Sequence, residues 1–333
     1  MNRPGRIAIV GAAGLVGETL LRVLERRDYD PDVLALFGGE RSAGTMITAF
    51  GKQWPVRGLL DAGDLAGHDV AFFAADAATS ARFARPAADA GVLVLDKSSV
   101  YRLEPAVPLI VPEVNAAAID GARLIANPNC AVIPLAMTLA PIANAFGLAW
   151  ASVATYQSVS GAGRDALDEY HAQCSGTGTV RSLPRRIAGN VIPENGAFDA
   201  DGHGEEERKI VAELRKILAL PDLPASATSV RVPVAVGHCE AVSFATQRRA
   251  TRAEIANVLR SAPGLTFLDG AKYATALDVA GTDDVVVGRL RQDAAHEGAW
   301  LAWVACDNLR KGAATNAVQI IEAARAATAR AVV

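Results

Sequence analysis

The opening of the chain constrains its fold more than any other stretch. RIAIV at residues 6–10 is a short β-rich run, GAAGLVG follows at 11–17, and LVGETLLRVLERR then repeats apolar residues at helical spacing. Strand, glycine turn and helix in direct succession form the start of a βα unit, and such units stack into a parallel sheet. The alternation continues. DVLALFG, HDVAFFAA, GVLVLD and VPLIV read as strands, with a helix over roughly residues 77–90. Residues 1–127 are therefore expected to form a doubly wound parallel sheet.

From residue 128 the pattern changes. WASVATYQSVSGAG is a long alternating strand ending in a glycine loop, and TSVRVPVAVG, EAVSFATQRR, VVVGRLRQ and WLAWVACD follow. With helices expected near 164–174, 204–218 and 251–260, residues 128–308 predict an α+β domain with a mostly antiparallel sheet. LRKGAATNAVQIIEAARAATAR predicts a long Ala-rich helix within 309–333 that completes the first domain.

At 333 residues and 51% hydrophobic, the chain can bury a sizeable core. A net charge of −3 gives no reason to expect nucleic acid or an anionic membrane as a partner. The apolar runs are broken well short of a membrane span. MNRPGRIAIVGAAG enters a strand and a glycine loop without a secretory leader, so a cytoplasmic protein is expected. The four cysteines are scattered, with no CxxC pair and no Cys/His ligand spacing. Neither a disulfide framework nor a metal site is expected, and Cys174, Cys239 and Cys306 receive no role.

Gly11, Gly14 and Gly17 form GxxGxxG directly after a strand. Glycines at these positions let the backbone approach a pyrophosphate seated on a helix N-terminus. Gly11, Ala12, Ala13, Gly14, Leu15 and Val16 are the expected dinucleotide contacts. The end of the second strand should meet the cofactor ribose, and it reads GGERSAG. Glu40 would suit a ribose hydroxyl, whereas Arg41 with Ser42 would accommodate a 2′-phosphate, so NADP is the expected cofactor.

In IANPNCAVIP, Asn127, Pro128 and Asn129 make a turn between an extended run and a helical one. Cys130 therefore falls near a helix N-terminus, where the dipole and free amides favour a thiolate. A lone cysteine in such a place is more often part of a core. RVPVAVGHCE changes that balance by supplying Arg231, suited to bidentate carboxylate binding, and His238, suited to acid/base work. Glu206 and Lys209 lie three apart in EEERKI and share one helix face.

Taken together, GAAGLVG, ERSAG, DKSSVYRLEPAVPLIVPEVN, IANPNCAVIP, TYQSVSGAG, EEERKI, RVPVAVGHCE and WVACDNLRKGAATNAVQI resemble the aspartate-semialdehyde dehydrogenases. The blocks run in order along nearly the whole chain. The resemblance implies a Rossmann-like first domain and a second domain that is catalytic and makes a homodimer, or a tetramer. It implies NADP-dependent reductive dephosphorylation of L-aspartyl 4-phosphate to L-aspartate 4-semialdehyde through a cysteine thioester, on the route to lysine through diaminopimelate, threonine and methionine. By matching positions it makes Cys130 the nucleophile, His238 the acid/base and Gln157 the residue that orients the acyl group. Protonation of the imidazole would then shape the acidic limb of activity. Arg231 would grip the substrate carboxylate and Glu206 its ammonium. Arg102, Asn129 and Lys209 would form the phosphate site, and Ser160, Gly161 and Asn308 would contact the cofactor. The chain departs from the family at Ala13, where Thr is frequent, and at Ala131, where a small hydroxyl residue is frequent. Other readings are N-acetyl-γ-glutamyl-phosphate reductase, whose cysteine block is PGCYPT-like, a coenzyme-A-thioester reductase, and a non-catalytic paralogue. The presence of Cys130, Gln157, Arg231 and His238 argues against the last.

Overall fold

The computed structural model describes residues 5–331. The chain divides into two compact units, residues 1–128 with 313–333, and residues 129–312. In the first unit the order is β1 (Arg6–Val10), α1 (Leu15–Arg26), β2 (Val33–Gly38), β3 (Met46–Ala49), β4 (Lys52–Gly58), β5 (Val70–Phe73), α2 (Ala77–Asp89), β6 (Leu93–Asp96), α3 (Pro112–Asn115) and β7 (Leu124–Ala126). These strands make one sheet in the order β3-β4-β2-β1-β5-β6-β7, parallel throughout except where β3 meets β4. The order reverses at β1, and ligands of doubly wound sheets bind at such a reversal. Four of the five residues of β1 are buried, as an unbroken apolar run in a parallel sheet requires.

Two details differ from the sequence reading. VPLIV is not a strand; it touches β7 only through a single bridge from Leu109 to Ala126. Pro108 within it and Pro112 after it cannot donate to a ladder. The β3–β4 hairpin was not expected. Its strands are largely exposed, so they carry little of the apolar alternation that marks a strand.

In the second unit follow α4 (Val132–Phe146), β8 (Leu148–Gln157), α5 (Arg164–Cys174), α6 (Glu205–Leu218), β9 (Ala225–Arg231), β10 (His238–Thr246), α7 (Arg252–Ser261), β11 (Leu265–Phe267), α8 (Ala276–Val279), β12 (Val285–Gln292) and β13 (Ala299–Cys306). The sheet order is β11-β12-β13-β10-β8-β9. The central pairs are antiparallel, and the two edge pairs, β11 with β12 and β8 with β9, are parallel. α4 is apolar nearly all round and almost wholly buried, which makes it the unit's central helix. It packs with α6 and α7 and against β10, β12 and β13. TSVRVPVAVG is not one strand. β9 ends at Arg231, just before Pro233, and Gly237 at φ +95° turns the chain so that His238 begins β10. His238 thus starts a strand where the sequence placed it at a strand's end.

After β13 the backbone forms a π-helical turn, Arg310–Ala314, and continues as α9 (Thr315–Ala331). α9 belongs to the first unit. Val318, Ile320 and Ile321 join the same core cluster as Ile7, Ile9, Leu20 and Leu24, and Arg27 pairs with Glu322 at 2.6 Å.

Candidate active site

In the first unit, the glycine loop is built by what is missing. Gly11 sits at φ +84°, and a Cβ there would come within 2.5 Å of the Ala74 carbonyl oxygen. A Cβ on Gly17 would overlap the Gly11 carbonyl and Ala12, so the third glycine lets α1 lie against the loop. The amides of Gly11 and Ala12 both donate to the Phe37 carbonyl at the end of β2, at 2.8 and 3.0 Å. Gly14 is the N-cap of α1, and no side chain caps that end. An uncapped helix start behind a side-chain-free loop suits a dinucleotide pyrophosphate. Arg41 is exposed in the turn after β2, where Ser42 folds back onto the Gly39 carbonyl through N at 3.0 Å and Oγ at 3.2 Å. Arg102 is also in this unit. It is buried and donates from Nη2 to the Lys97 carbonyl at 2.6 Å.

The second unit gathers its candidate residues by strand register. Arg231 pairs with Gln157 across β9 and β8, and His238 pairs with Cys306 across β10 and β13. Cys239 lies opposite Tyr156, which brings Gln157 level with His238. Arg231, Gln157, His238 and Cys306 therefore form one row across four strands, on one face of the sheet. All four are buried.

Cys130 meets this row from the turn before α4. Its Sγ lies 3.2 Å from His238 Nε2. Ala131 is the N-cap of α4, so the thiol sits one residue outside the helix start. The turn is held from several sides. Asn129 accepts from the Ala131 amide at its Oδ1 (2.8 Å), and its carbonyl takes the amides of Val132 and Ile133. Two carboxylates of α6 anchor the same residue: Glu213 accepts from the Asn129 amide and Glu206 from Asn129 Nδ2, both at 2.7 Å. Glu206 also lies 3.4 Å from Gln157 Nε2. Gly312 in the π-helical turn completes the enclosure, since a Cβ there would touch the Cys130 Cβ at 3.3 Å.

Burial, and then Arg231, push the His238 imidazole down to about 3, so it does not titrate near its ordinary value. Burial also lowers the Arg231 guanidinium, against the opposing pull of Cys130 and Glu206. Arg231 Nη1 donates to the Ser158 carbonyl at 2.8 Å, whereas its buried Nε has no hydrogen-bond partner among the described residues. An orphaned guanidinium N–H beside the thiol is a waiting donor for an anionic group. Burial and Glu240 push the Cys239 thiol up to about 12, and burial keeps Cys306 well above its usual range, so neither is a reactive thiol.

Other expected residues fall nearby with different company. Lys209 pairs with Glu205, not Glu206. Ser160 and Asn308 are buried and bonded to each other and to Ser158. Gly161 leaves room beside the site, because a Cβ there would stand 2.9 Å from Arg231 Nη1 and 3.3 Å from His238 Nε2. Sequence reasoning missed Ser158, Glu213 and Gly312. Ser158 was adjacent to Gln157 in a quoted block. Glu213 lies seven residues after Glu206, on the same helical face.

Comparisons with known proteins identify the family. The family sequence model described as "Semialdehyde dehydrogenase, NAD binding domain" matches residues 6–122, and "Semialdehyde dehydrogenase, dimerisation domain" matches residues 139–311. An aspartate-semialdehyde dehydrogenase of Aquifex aeolicus is 41% identical, covering 95% of this chain and 97% of that one. The chain belongs to the aspartate-semialdehyde dehydrogenase family. A solved Vibrio cholerae aspartate semialdehyde dehydrogenase II complexed with ASA superposes with a TM-score of 0.91, at 39% identity over 97% of this chain and 98% of that one. The Candida albicans aspartate semialdehyde dehydrogenase with NADP, 22% identical over 97% and 99% of the two chains, shares the fold with a TM-score of 0.75. As a member of this family the chain is an oxidoreductase that uses a nicotinamide cofactor. Among the described residues no helix is long and apolar enough to cross a membrane.

Proposed function

We propose that the chain reduces L-aspartyl 4-phosphate to L-aspartate 4-semialdehyde with NADPH, releasing phosphate, through an acyl thioester on Cys130. The observation that carries this reading is the 3.2 Å contact between Cys130 Sγ and His238 Nε2, beside the row that holds Gln157 and Arg231. A thiolate turns one difficult displacement into two easier ones. Cys130 attacks the acyl carbon, phosphate departs, and the thioester remains. The loop at 11–16 would hold the dinucleotide, which when bound would supply the hydride for reduction. His238, with Nε2 3.2 Å from the thiol, is proposed as the acid/base of the two steps.

The substrate's charges match what the second unit offers. The orphaned Nε of Arg231 is suited to the α-carboxylate. Glu206 is suited to the ammonium, and Gln157, bonded to Glu206, Thr155 and Ser229, is held firmly enough to orient the acyl group. Lys209 remains a proposed phosphate ligand in the second unit. Asn129 supports that role less directly, because its side chain is committed to Glu206 and to the start of α4. Ser160, Gly161 and Asn308 remain proposed cofactor neighbours, Ser160 and Asn308 through backbone more than through their engaged side chains. Arg41 and Ser42 support NADP over NAD.

The family description of the second unit supports a homodimer made through it, and the scatter of the four cysteines, none of them in a disulfide among the described residues, suits the cytoplasm. The product would feed lysine, by way of diaminopimelate, threonine and methionine. The test is NADPH formation from aspartate semialdehyde, phosphate and NADP. Phosphate-dependent NADPH formation is the expected result. Turnover of N-acetylglutamate semialdehyde in its place, or none, would overturn the reading.

A further inference from the structure

Behind the row that holds Arg231 and Gln157 lies a second row of polar side chains on the same face of the sheet. Residues two apart on a strand point to the same side. Thr155 and Ser229 stand two before Gln157 and Arg231, and they pair with each other across β8 and β9. Both are buried. Gln157 Nε2 rests on this second row, 3.2 Å from Ser229 Oγ and 3.3 Å from Thr155 Oγ1, with Glu206 Oε1 at 3.4 Å. All three contacts are long, and an amide with two protons cannot satisfy three acceptors at once. The position of Gln157 therefore depends on how firmly the acceptors are themselves held.

Ser229 is held from two sides. Asn195 Nδ2 donates to its Oγ at 2.7 Å, shorter than any of the three contacts to Gln157 Nε2. A serine hydroxyl has three staggered positions, and this bond selects the one that faces Gln157. The Ser229 amide donates to Glu207 Oε1 at 3.0 Å, and Glu207 Oε2 accepts from the Gly204 amide at the start of α6 at 2.8 Å. Asn195 lies on the segment that runs to α6 from Ile192, whose amide and carbonyl both pair with Arg231. The Asn195 carbonyl accepts from the Glu206 amide at 3.3 Å. One residue outside the row thus ties the hydroxyl beneath Gln157 to the helix turn that carries Glu206.

We propose that Asn195 and Ser229 are positioning residues for the reaction: Asn195 fixes the Ser229 hydroxyl, and Ser229 fixes the Gln157 side chain at a set distance from Glu206. The proposal rests on the reading above, in which Gln157 orients the acyl group and Glu206 meets the ammonium. Those two groups grip neighbouring parts of one small substrate, and a shift of about 1 Å between them misaligns the acyl carbon against Cys130. Loss of the Ser229 hydroxyl leaves Gln157 Nε2 with two long contacts, to Thr155 and Glu206, and freedom to turn between them. Neither Asn195 nor Ser229 has to touch the substrate; both act through Gln157.

The test is a double-mutant cycle joined to crystallography, on the full-length chain. Asn195→Ala keeps the backbone carbonyl that takes the Glu206 amide and removes only the link to Ser229. Ser229→Ala and Asn195→Ala should each lower turnover of aspartate semialdehyde by roughly three- to tenfold, as loss of a neutral hydrogen bond does, and leave the Michaelis constant for NADP within about twofold. In a Gln157→Ala background neither should cost anything further, because the group they position is gone. Losses that add to that of Gln157→Ala, or that fall equally on the cofactor constant, would overturn the proposal. Crystal structures of the two single variants form an arm that needs no substrate. In both, Gln157 should leave its parent position or occupy two conformers. Ser226→Ala, which removes an exposed hydroxyl bonded to Ser152 on the other face of the same strand pair, should leave Gln157 in place. Gln157 unmoved in both variants would overturn the proposal. A parent chain that ignores aspartate semialdehyde would break the substrate reading and leave the crystallographic result standing.

Discussion

The glycine loop and the cysteine site are built by opposite means. The loop works through side chains that are absent: Gly11 and Gly17 hold space that a Cβ would fill, which leaves bare backbone for the proposed dinucleotide contacts. The cysteine site works through side chains that converge from distant parts of the chain, placed by the pairing of β8, β9, β10 and β13. A site of the first kind is contiguous in sequence and tied to the fold's stability. A site of the second kind is scattered in sequence, and its chemistry can be removed while the fold stays intact.

The contrast is sharpest at Cys130. Cys130→Ala should lower turnover by about 10³-fold or more while dinucleotide binding stays near normal. Activity within tenfold of the parent chain would end the nucleophile assignment. Arg231→Lys keeps the charge but loses the planar fork, and losing such a contact costs about 2–5 kcal/mol when its partner stays buried. The loss should fall on use of aspartate semialdehyde and not on the cofactor; unchanged kinetics would place Arg231 outside the site. Breaking the loop should look different. Gly11→Ala forces a Cβ at φ +84° toward the Ala74 carbonyl and should cost about 1–3 kcal/mol of stability, together with dinucleotide affinity. A melting temperature and a cofactor titration that both match the parent would show that the loop tolerates a side chain. The smallest effect is expected at Arg41→Ala, which should raise the Michaelis constant for NADP by about tenfold, for roughly 1.5 kcal/mol, and leave that for NAD nearly unchanged. Equal shifts for both cofactors would mean that Arg41 does not read the 2′-phosphate.

The same contrast explains what could be read from the residues alone. β1, the glycine loop and α1 were legible because strand, turn and helix are written consecutively and each carries its own periodicity. The mixed second sheet was legible as strands but not as pairings, since register is decided by partners far away in the chain. The break between β9 and β10 was hidden by an apolar run, RVPVAVG, whose Pro233 and positive-φ Gly237 interrupt the extended backbone. The β3–β4 hairpin escaped because it is mostly solvent-facing. At the site, Cys130, Gln157, Arg231 and His238 were named from their motifs. The support behind them was not, because Ser158, Glu213 and Gly312 act through hydrogen bonds or a missing methyl group that no local pattern announces.

The row formed by Arg231, Gln157, His238 and Cys306 has a consequence for how the molecule comes into being. A slip of one residue in β10 would turn His238 to the opposite face, and a slip of two would carry it past Gln157. The first would also turn Val242 and Phe244 out of the core, whereas the second keeps the faces of the strand and need expose little apolar surface. Long-range strand pairings of this sort form late and slowly. During refolding, helix content and compaction can therefore return while no thiol yet works. Recovered turnover counts only those chains in which four strands have found one another in the correct alignment.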